Sequence, residues 1–353
     1  MQTLTPQHFQ RLILNWFDQY GRKHLPWQQN KTPYRVFISE IMLQQTQVNT
    51  VIPYFERFME RFPDIASLAY AKEDEVMYYF AGLGYYRRAR YLHRAAKMIL
   101  EEFNGEFPHT LENIQTLPGV GQSTAGAILS IAFNQATPIL DGNVKRVLAR
   151  LYGIKKPINE KATENKLWAI ASSHMPKKRA ADYTQAMMDL GATLCLRRKP
   201  SCMHCPLNQY CIAYQKNWTA DLPKKTPTKT LPLREATFFI FKKNHDVLLL
   251  KRPAEGIWGG LFSFPEIKGQ IKRHLISSYC EKHFQIKHTY HQILDPIRHT
   301  FTHFHLDIFP IMIEIDKKSL KPMAETKQIW YNVHQPKRIG LPKPVQTILR
   351  ALR

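Results

Sequence analysis

Two carboxylic acids and one cluster of cysteines stand where their residue types and spacing could do chemistry. Glu40 lies in a run opened by Thr32-Pro33, a capping residue followed by proline at the first turn of a helix. Its i−4, i−3 and i+3 neighbours are Val36, Phe37 and Leu43, so the carboxyl projects from a largely apolar face. Burial there raises the pKa and keeps a proton on the group near neutral pH. A rim Glu that snorkels to solvent has the same local sequence. Asp141 stands just before Gly142-Asn143-Val144, and Val144, Val147, Leu148 and Leu151 then repeat at helical spacing. A carboxylate at a helix cap accepts backbone N–H groups and is held ionised. An ordinary capping Asp has the same signature. Environments that push two carboxyl pKa values apart give one acid and one charge stabiliser. That pair suits the breaking of a glycosidic bond, where one group protonates the leaving group and the other faces positive charge on the sugar.

Cys195, Cys202, Cys205 and Cys211 follow the spacing C-x6-C-x2-C-x5-C, while the first 194 residues contain no cysteine. This is a ligand cluster and not a disulfide framework. Four thiolates suit zinc or an iron–sulfur centre, although structural zinc sites more often show two short pairs and this run has one. Cys280 reads as a buried free thiol.

These groups need elements to position them. Leu117-Pro118-Gly119-Val120-Gly121 is a tight turn, and Ser123 to Ala132 a small-residue helix. Backbone N–H groups around Gly119 and Gly121 at a helix N-terminus favour an anion such as a phosphate. A plain helix–turn–helix joint is the alternative. Gln44 and Gln45 are amides able to read base edges, or ordinary surface residues. Gly82 to Arg90, GLGYYRRAR, joins a flexible turn to two aromatics for stacking and three arginines for phosphate. It reads equally well with tyrosines in the core and solvated arginines, and one of the two tyrosines is expected in the core.

The chain has 353 residues and a net charge of +22, enough length for two or three domains and a charge that points to nucleic acid. Both halves carry an excess of Lys and Arg. No basic n-region with an apolar run opens the chain and no stretch reaches membrane length, so a soluble, cytoplasmic protein is expected. Residues 1–218 read as an all-α half. Residues 219–233 fall in the Pro-, Lys- and Thr-rich stretch that reads as a semi-extended linker. Residues 234–353 read as α+β, with strands in ATFFIFKK, DVLLLKR, HLDIFPIMIEI and QIWYNV and helices over Ile271–Phe284 and Pro344–Leu349. Alternating spacing puts His299, His303 and His305 on one face of a strand, a weak metal pattern.

Several stretches together carry a specific resemblance: LPWQ at 25–28, SEIMLQQTQV at 39–48, GLGYYRRAR at 82–90, LPGVGQSTAGAI at 117–128, ILDGNVKRVLAR at 139–150, QAMMDLGA at 185–192 and the four cysteines. The chain resembles the MutY-type adenine DNA glycosylases of the helix-hairpin-helix superfamily over essentially its whole length. The resemblance implies a multidomain protein: an all-α helix-hairpin-helix catalytic half with an iron–sulfur loop at 195–211, and a Nudix-like (MutT-like) domain. It implies a [4Fe-4S] cluster on Cys195, Cys202, Cys205 and Cys211, and excision of adenine opposite 8-oxoguanine or guanine in double-stranded DNA. A monomer is the default expectation, which no feature of the sequence supports.

The same resemblance assigns roles. Glu40 protonates adenine, Asp141 stabilises the oxocarbenium-like state, and Asn143 helps to position the sugar side. Leu25, Trp27, Val48 and Gln185 line the adenine pocket. Gln44, Gln45 and Tyr85 penetrate the duplex, and Gly119 and Gly121 grip its backbone. Ser123 stands where endonuclease III-like enzymes carry a lysine, so no Schiff base forms there and an abasic site is left. Lys145, one turn beyond Asp141, could trap a ring-opened sugar only weakly. GIWGGLFSFPE at 256–266 resembles a Nudix opening, yet only Glu281 follows Glu266 in the next segment, so the Mg²⁺-holding box is missing and a binding domain is implied. Phe301-Thr302-His303 stands where the family typically has Phe-Ser-His to recognise 8-oxoguanine. The rival readings are an endonuclease III-like bifunctional enzyme for oxidised pyrimidines and a non-catalytic mismatch-binding protein.

Overall fold

The computed structural model describes residues 4–224, 230–286, 291–315 and 327–353. They form two compact units. One contains Met1–Tyr70 and Tyr91–Thr228, the other Ala71–Arg90 and Lys229–Arg353.

Among the described residues, every regular element of the first unit is a helix. Its helices begin where the sequence supplies side-chain caps. Thr5, Thr32 and Thr110 accept from the backbone N–H groups of His8, Arg35 and Asn113, and Asp64 forms a reciprocal capping box with Ser67. The Pro33–Leu43 helix buries Val36, Phe37, Ile38, Ile41 and Met42. The Gln122–Phe133 helix is apolar on nearly every face and is buried from Ala125 to Ile131. The Gly142–Leu151 helix packs between Ala180–Thr193 and the short Ile212–Gln215 helix. Gly191 permits that approach, because a Cβ there would lie 2.5 Å from Cβ of Asn143.

The second unit is built on a mixed sheet. Its strands are β1 (Leu233–Lys243), β2 (Asp246–Lys251), β3 (Phe262–Ser263), β4 (Glu266–Lys268), β5 (Gln292–Ile293), β6 (Ile297–Thr300), β7 (His305–Glu314) and β8 (Gln328–Asn332). The main order is β3-β2-β1-β7-β5, with β4 on β1, β6 on β7 and β8 on β2. β1 and β7 run parallel over ten paired residues, and the other ladders are antiparallel. Phe239, Phe241, Leu248, Ile311 and Ile313 meet Ile276, Cys280 and Phe284 of the Ile276–Phe284 helix in one apolar cluster. Cys280 is the buried free thiol expected.

Four features differ from the sequence reading. The helix expected from Ile271 starts at Ile276, because the Ile271 N–H is drawn to the Thr237 hydroxyl (3.1 Å) and a 3-10 turn over Arg273–Leu275 follows. β3 to β6 are two to four residues long, too short for an alternating pattern. The start of the linker is part of the first unit, with Leu222 buried; residues 225–229 of it lie outside the described residues. Ala71–Arg90, which a single cut near 219 leaves with the first half, packs in the second unit. Its Glu73–Phe80 helix is fastened there by Asp74, which pairs with Lys251 (2.6 Å) and Lys327 (2.7 Å).

Burial acts upward on the Asp74 carboxyl, and the hydrogen bonds and charges of the two lysines outweigh it, leaving the pKa below the ordinary aspartate value. A depressed carboxyl pKa stabilises the fold above the unfolded-state value and loses that contribution as pH falls through the folded-state value. Asp74→Asn is expected to cost about 1 kcal/mol at pH 7, the pair being partly solvated. The gap between the two unfolding curves should begin to narrow as pH falls below the unfolded-state aspartate value of about 3.9 and close only once pH has passed below the depressed folded-state value.

Candidate active site

Glu40 sits on the last turns of Pro33–Leu43, half-buried. Burial, followed by the charge of Asp141, pushes its carboxyl up to about 8. Asp141 caps the Gly142–Leu151 helix, with Oδ1 accepting the Val144 N–H at 2.8 Å. Its other oxygen accepts the Asn143 side-chain amide at 3.1 Å, and the Asn143 oxygen in turn accepts Arg146 at 2.8 Å. Capping alone suggests a low pKa for Asp141. Here burial is the largest influence and raises it, opposed by the backbone N–H groups of Val144 and Asn143, the Asn143 amide and the Arg146 charge. Those donors and that cation act on Asp141, whereas burial and the Asp141 charge both push Glu40 upward. The proton shared by such a pair therefore belongs on Glu40.

The turn at Leu117–Gly121 adjoins this pair in the same unit. Gly119 has φ +83°, and a Cβ on it would meet the Tyr91 side chain at 2.8 Å. Gly121 opens the Gln122–Phe133 helix with no side-chain cap, and a Cβ on it would meet nothing within 4 Å. Ser123 accepts the Leu140 N–H at 3.0 Å, which ties the segment entering Asp141 to the hairpin. Gln44 reaches the Gly119 carbonyl and the Thr124 hydroxyl, each at 3.4 Å. Lys145 is held by Glu164 at 2.6 Å.

Leu25 and Trp27 are buried, with Trp27 edge-on to Phe55, and Val48 is half-buried. Gln185 is buried and engaged: it donates to Asp189 at 2.8 Å and accepts from Gln28. Asp189 also takes the Arg22 guanidinium and backbone N–H. Sequence reading passed over Arg22, Gln28 and Asp189. The i, i+4 spacing of Gln185 and Asp189 was the available signal.

Two residues expected to enter a duplex have unusual backbones. Gln45 (φ +56°) is exposed after the Pro33–Leu43 helix, and Tyr85 (φ +48°) is an exposed aromatic in the second unit. Non-glycine residues held in the left-handed region store strain. Of the neighbouring arginines, Arg87 is exposed. Arg88 is not the solvated phosphate ligand the motif suggests. It is buried, donates to the Leu83 and Gly84 carbonyls, and lies over the Phe80 and Tyr85 rings. Burial lowers its pKa to about 10. Tyr86 is half-buried, its hydroxyl accepting the Gly82 N–H at 3.3 Å, so neither tyrosine of the pair is fully in the core.

The histidine pattern is corrected. His299 lies on β6 and His305 on β7, and His303 is in the turn between them, closed by Phe301 N–H to the Phe304 carbonyl (2.9 Å). Phe301 stacks on Phe304 and lies against Trp258 and His299, which leaves Thr302 and His303 exposed.

Cys195, Cys202, Cys205 and Cys211 are free and half-buried. Burial pushes the Cys205 thiol up to about 12, and the charges of the other three add to this. Cys195 receives Arg150 at 3.3 Å on sulfur and Arg146 at 2.7 Å on its carbonyl. The donor set fits a thiolate-bound centre. Among the described residues, no three His, Cys, Asp or Glu side chains gather around a single ion position. No helix among them is long and apolar enough to cross a membrane.

Comparison with known proteins decides the family. An adenine DNA glycosylase of Buchnera aphidicola subsp. Acyrthosiphon pisum (strain APS) is 45% identical over 347 residues, covering 98% of both chains. The chain belongs to the adenine DNA glycosylase family. Residues 38–173 match the HhH-GPD superfamily base excision DNA repair protein family, and 236–351 match the NUDIX domain. A thermostable thymine-DNA glycosylase superposes with a TM-score of 0.55 at 27% identity, over 60% of this chain and 97% of its own. An endonuclease III bound to DNA shares the helical fold, with a TM-score of 0.52 at 22% identity, over 61% and 99%. The expected fold class, a helical helix-hairpin-helix half with a Nudix-like α+β domain, is borne out, and its sheet is mixed.

Gly119→Ala is expected to lower stability by at least about 1–2 kcal/mol, from the left-handed backbone and the Tyr91 contact. Gly121→Ala should stay within about 0.5 kcal/mol of wild type, as read in urea unfolding. The raised Glu40 pKa leaves the acid protonated below about 8. With Glu40 as the proton donor, the single-turnover excision rate is expected to hold to about pH 8 and fall about tenfold per pH unit beyond; a rate flat through pH 9 would remove Glu40 from that role.

Proposed function

We propose that the protein excises adenine paired with 8-oxoguanine, or with guanine, from double-stranded DNA, hydrolysing the N-glycosidic bond and leaving an abasic site for base excision repair. The observation that carries this reading is the half-buried pair itself: an acid held up to about 8 beside a helix-capping carboxylate, in a chain of this family.

Adenine must leave the stack before Glu40 can reach it. Glu40 gives its proton to the departing base, which turns a poor leaving group into a neutral one. Asp141 faces the positive charge that develops on the sugar, and Asn143 keeps its oxygen oriented. Leu25, Trp27, Val48 and Gln185 enclose the base. The uncapped helix start at Gly121 offers N–H groups to a phosphate, and exposed Gln45, preceded by Gln44, and exposed Tyr85 enter the duplex. Exposed Thr302 and His303, beside Phe301, meet the 8-oxoguanine.

Ser123 is a hydroxyl engaged with Leu140, and the Lys145 amine is paired with Glu164, which favours a glycosylase without lyase activity. The four cysteines would hold a [4Fe-4S] cluster, whose contribution is to cross-link the loop bearing exposed Arg197, Arg198 and Lys199. The protein acts as a monomer in the cytoplasm, on the nucleoid.

The test is single-turnover excision on duplexes with adenine opposite 8-oxoguanine, guanine or thymine, and with an oxidised pyrimidine opposite guanine. Breaks at adenine opposite 8-oxoguanine that need alkali are expected. Breaks at the pyrimidine without alkali would move the protein to the bifunctional class. Glu40→Gln should lose excision by at least about 10²-fold with DNA affinity retained; full activity in that variant would remove Glu40 as the acid.

A further inference from the structure

Asp189 is fully buried and accepts four hydrogen bonds. Oδ2 takes the Arg22 backbone N–H at 2.8 Å, and Oδ1 takes the Arg22 Nε at 2.9 Å, the Arg22 terminal nitrogen at 2.7 Å and Gln185 Nε2 at 2.8 Å. Gln185 then accepts on its oxygen from Gln28 Nε2. Gln28 ends the Pro26–Gln28 turn beside buried Leu25 and Trp27 and is itself half-buried. The result is a three-membered relay from a buried ion pair to the edge of the proposed base pocket.

An amide alone has no preferred sense, since its oxygen and nitrogen ends are nearly the same size. A carboxylate paired with Arg22 can only accept. Gln185 must therefore turn its NH₂ inward and its oxygen outward. Gln28 must meet that oxygen with its own NH₂, which leaves the Gln28 oxygen as the acceptor at the open end.

We propose that Asp189 is a positioning residue whose charge fixes the polarity of Gln185 and Gln28, so that the pocket favours a purine with a donor at position 6 over one with an acceptor there. Adenine carries an amino group at that position; hypoxanthine and guanine carry an oxygen. Leaving a buried acceptor facing an acceptor is where such a site gains its selectivity. This inference rests on the adenine reading above and specifies how the site tells purines apart.

Single-turnover excision of adenine and of hypoxanthine, each opposite 8-oxoguanine, tests it. Wild type should favour adenine. Asp189→Asn replaces an obligate acceptor by a group that can also donate, which frees Gln185 to flip. Its adenine-to-hypoxanthine rate ratio should fall at least about tenfold, mainly through slower adenine excision. Equal loss on both bases, with the ratio kept within about twofold, would make Asp189 merely structural and overturn the proposal. If Asp189→Asn does not fold, Gln28→Met breaks the outer link without touching the ion pair. The same collapse of the ratio is expected there, and an unchanged ratio would overturn the proposal. A wild-type protein that excises neither purine would fail the functional reading itself, a result distinct from an unchanged ratio.

Discussion

The structure turns on the burial of two carboxyl groups close to one another. Desolvation disfavours charge on each, and each makes charge on the other less favourable. The surroundings resolve this unequally. Asp141 has the first turn of the Gly142–Leu151 helix, the Asn143 amide and the nearby Arg146 charge. Glu40 has the apolar face of Pro33–Leu43. One proton therefore has a definite home, and an acid exists at a pH where a solvated Glu would have lost its proton.

Holding that geometry falls to arginines that run from the site to the cysteine loop. Arg146 spans Asn143, Gly191 and the Cys195 carbonyl. Arg150, one turn on and almost fully buried, uses all five of its donors: on the Leu222, Leu196, Arg197 and Thr219 carbonyls and on Cys195 sulfur. A buried guanidinium is tolerated only when its donors are satisfied. Here satisfaction draws both ends of the 195–222 segment onto the helix that carries the capping Asp. The Arg146 side chain alone joins the Cys195 carbonyl to the Asn143 oxygen.

The second unit is braced differently. The hairpin turn at Phe301–Phe304 is stiffened by aromatic contacts among Phe301, Phe304, Trp258 and His299, with the polar residues left outward. Asp74 fastens the Glu73–Phe80 helix to Lys251 and Lys327, so the segment bearing Tyr85 is part of this unit. Arg88 braces the glycine turn from within, which lets Tyr85 stand exposed on a strained backbone.

The sequence by itself determined the features written in local chemistry. Thr32-Pro33 and Asp141 started their helices because capping needs only the next three residues. The apolar neighbours of Glu40 foretold its raised pKa, and the close spacing of Cys195, Cys202, Cys205 and Cys211 placed four free thiols on one short segment. The long strands β1, β2, β7 and β8 were legible from their apolar patterning, whereas β3 to β6 were too short to show one. Tertiary structure decided what depends on partners distant in the chain. Asp141 is raised and not lowered because packing removes water from it, a cost no cap motif encodes. The Arg22–Asp189–Gln185–Gln28 relay joins segments more than 150 residues apart. Arg88 proved structural because its carbonyl partners exist only once the turn has closed, and Asp74 found its lysines only when the sheet had formed. Local patterns fix which groups are available; desolvation and long-range pairing fix their charge and orientation.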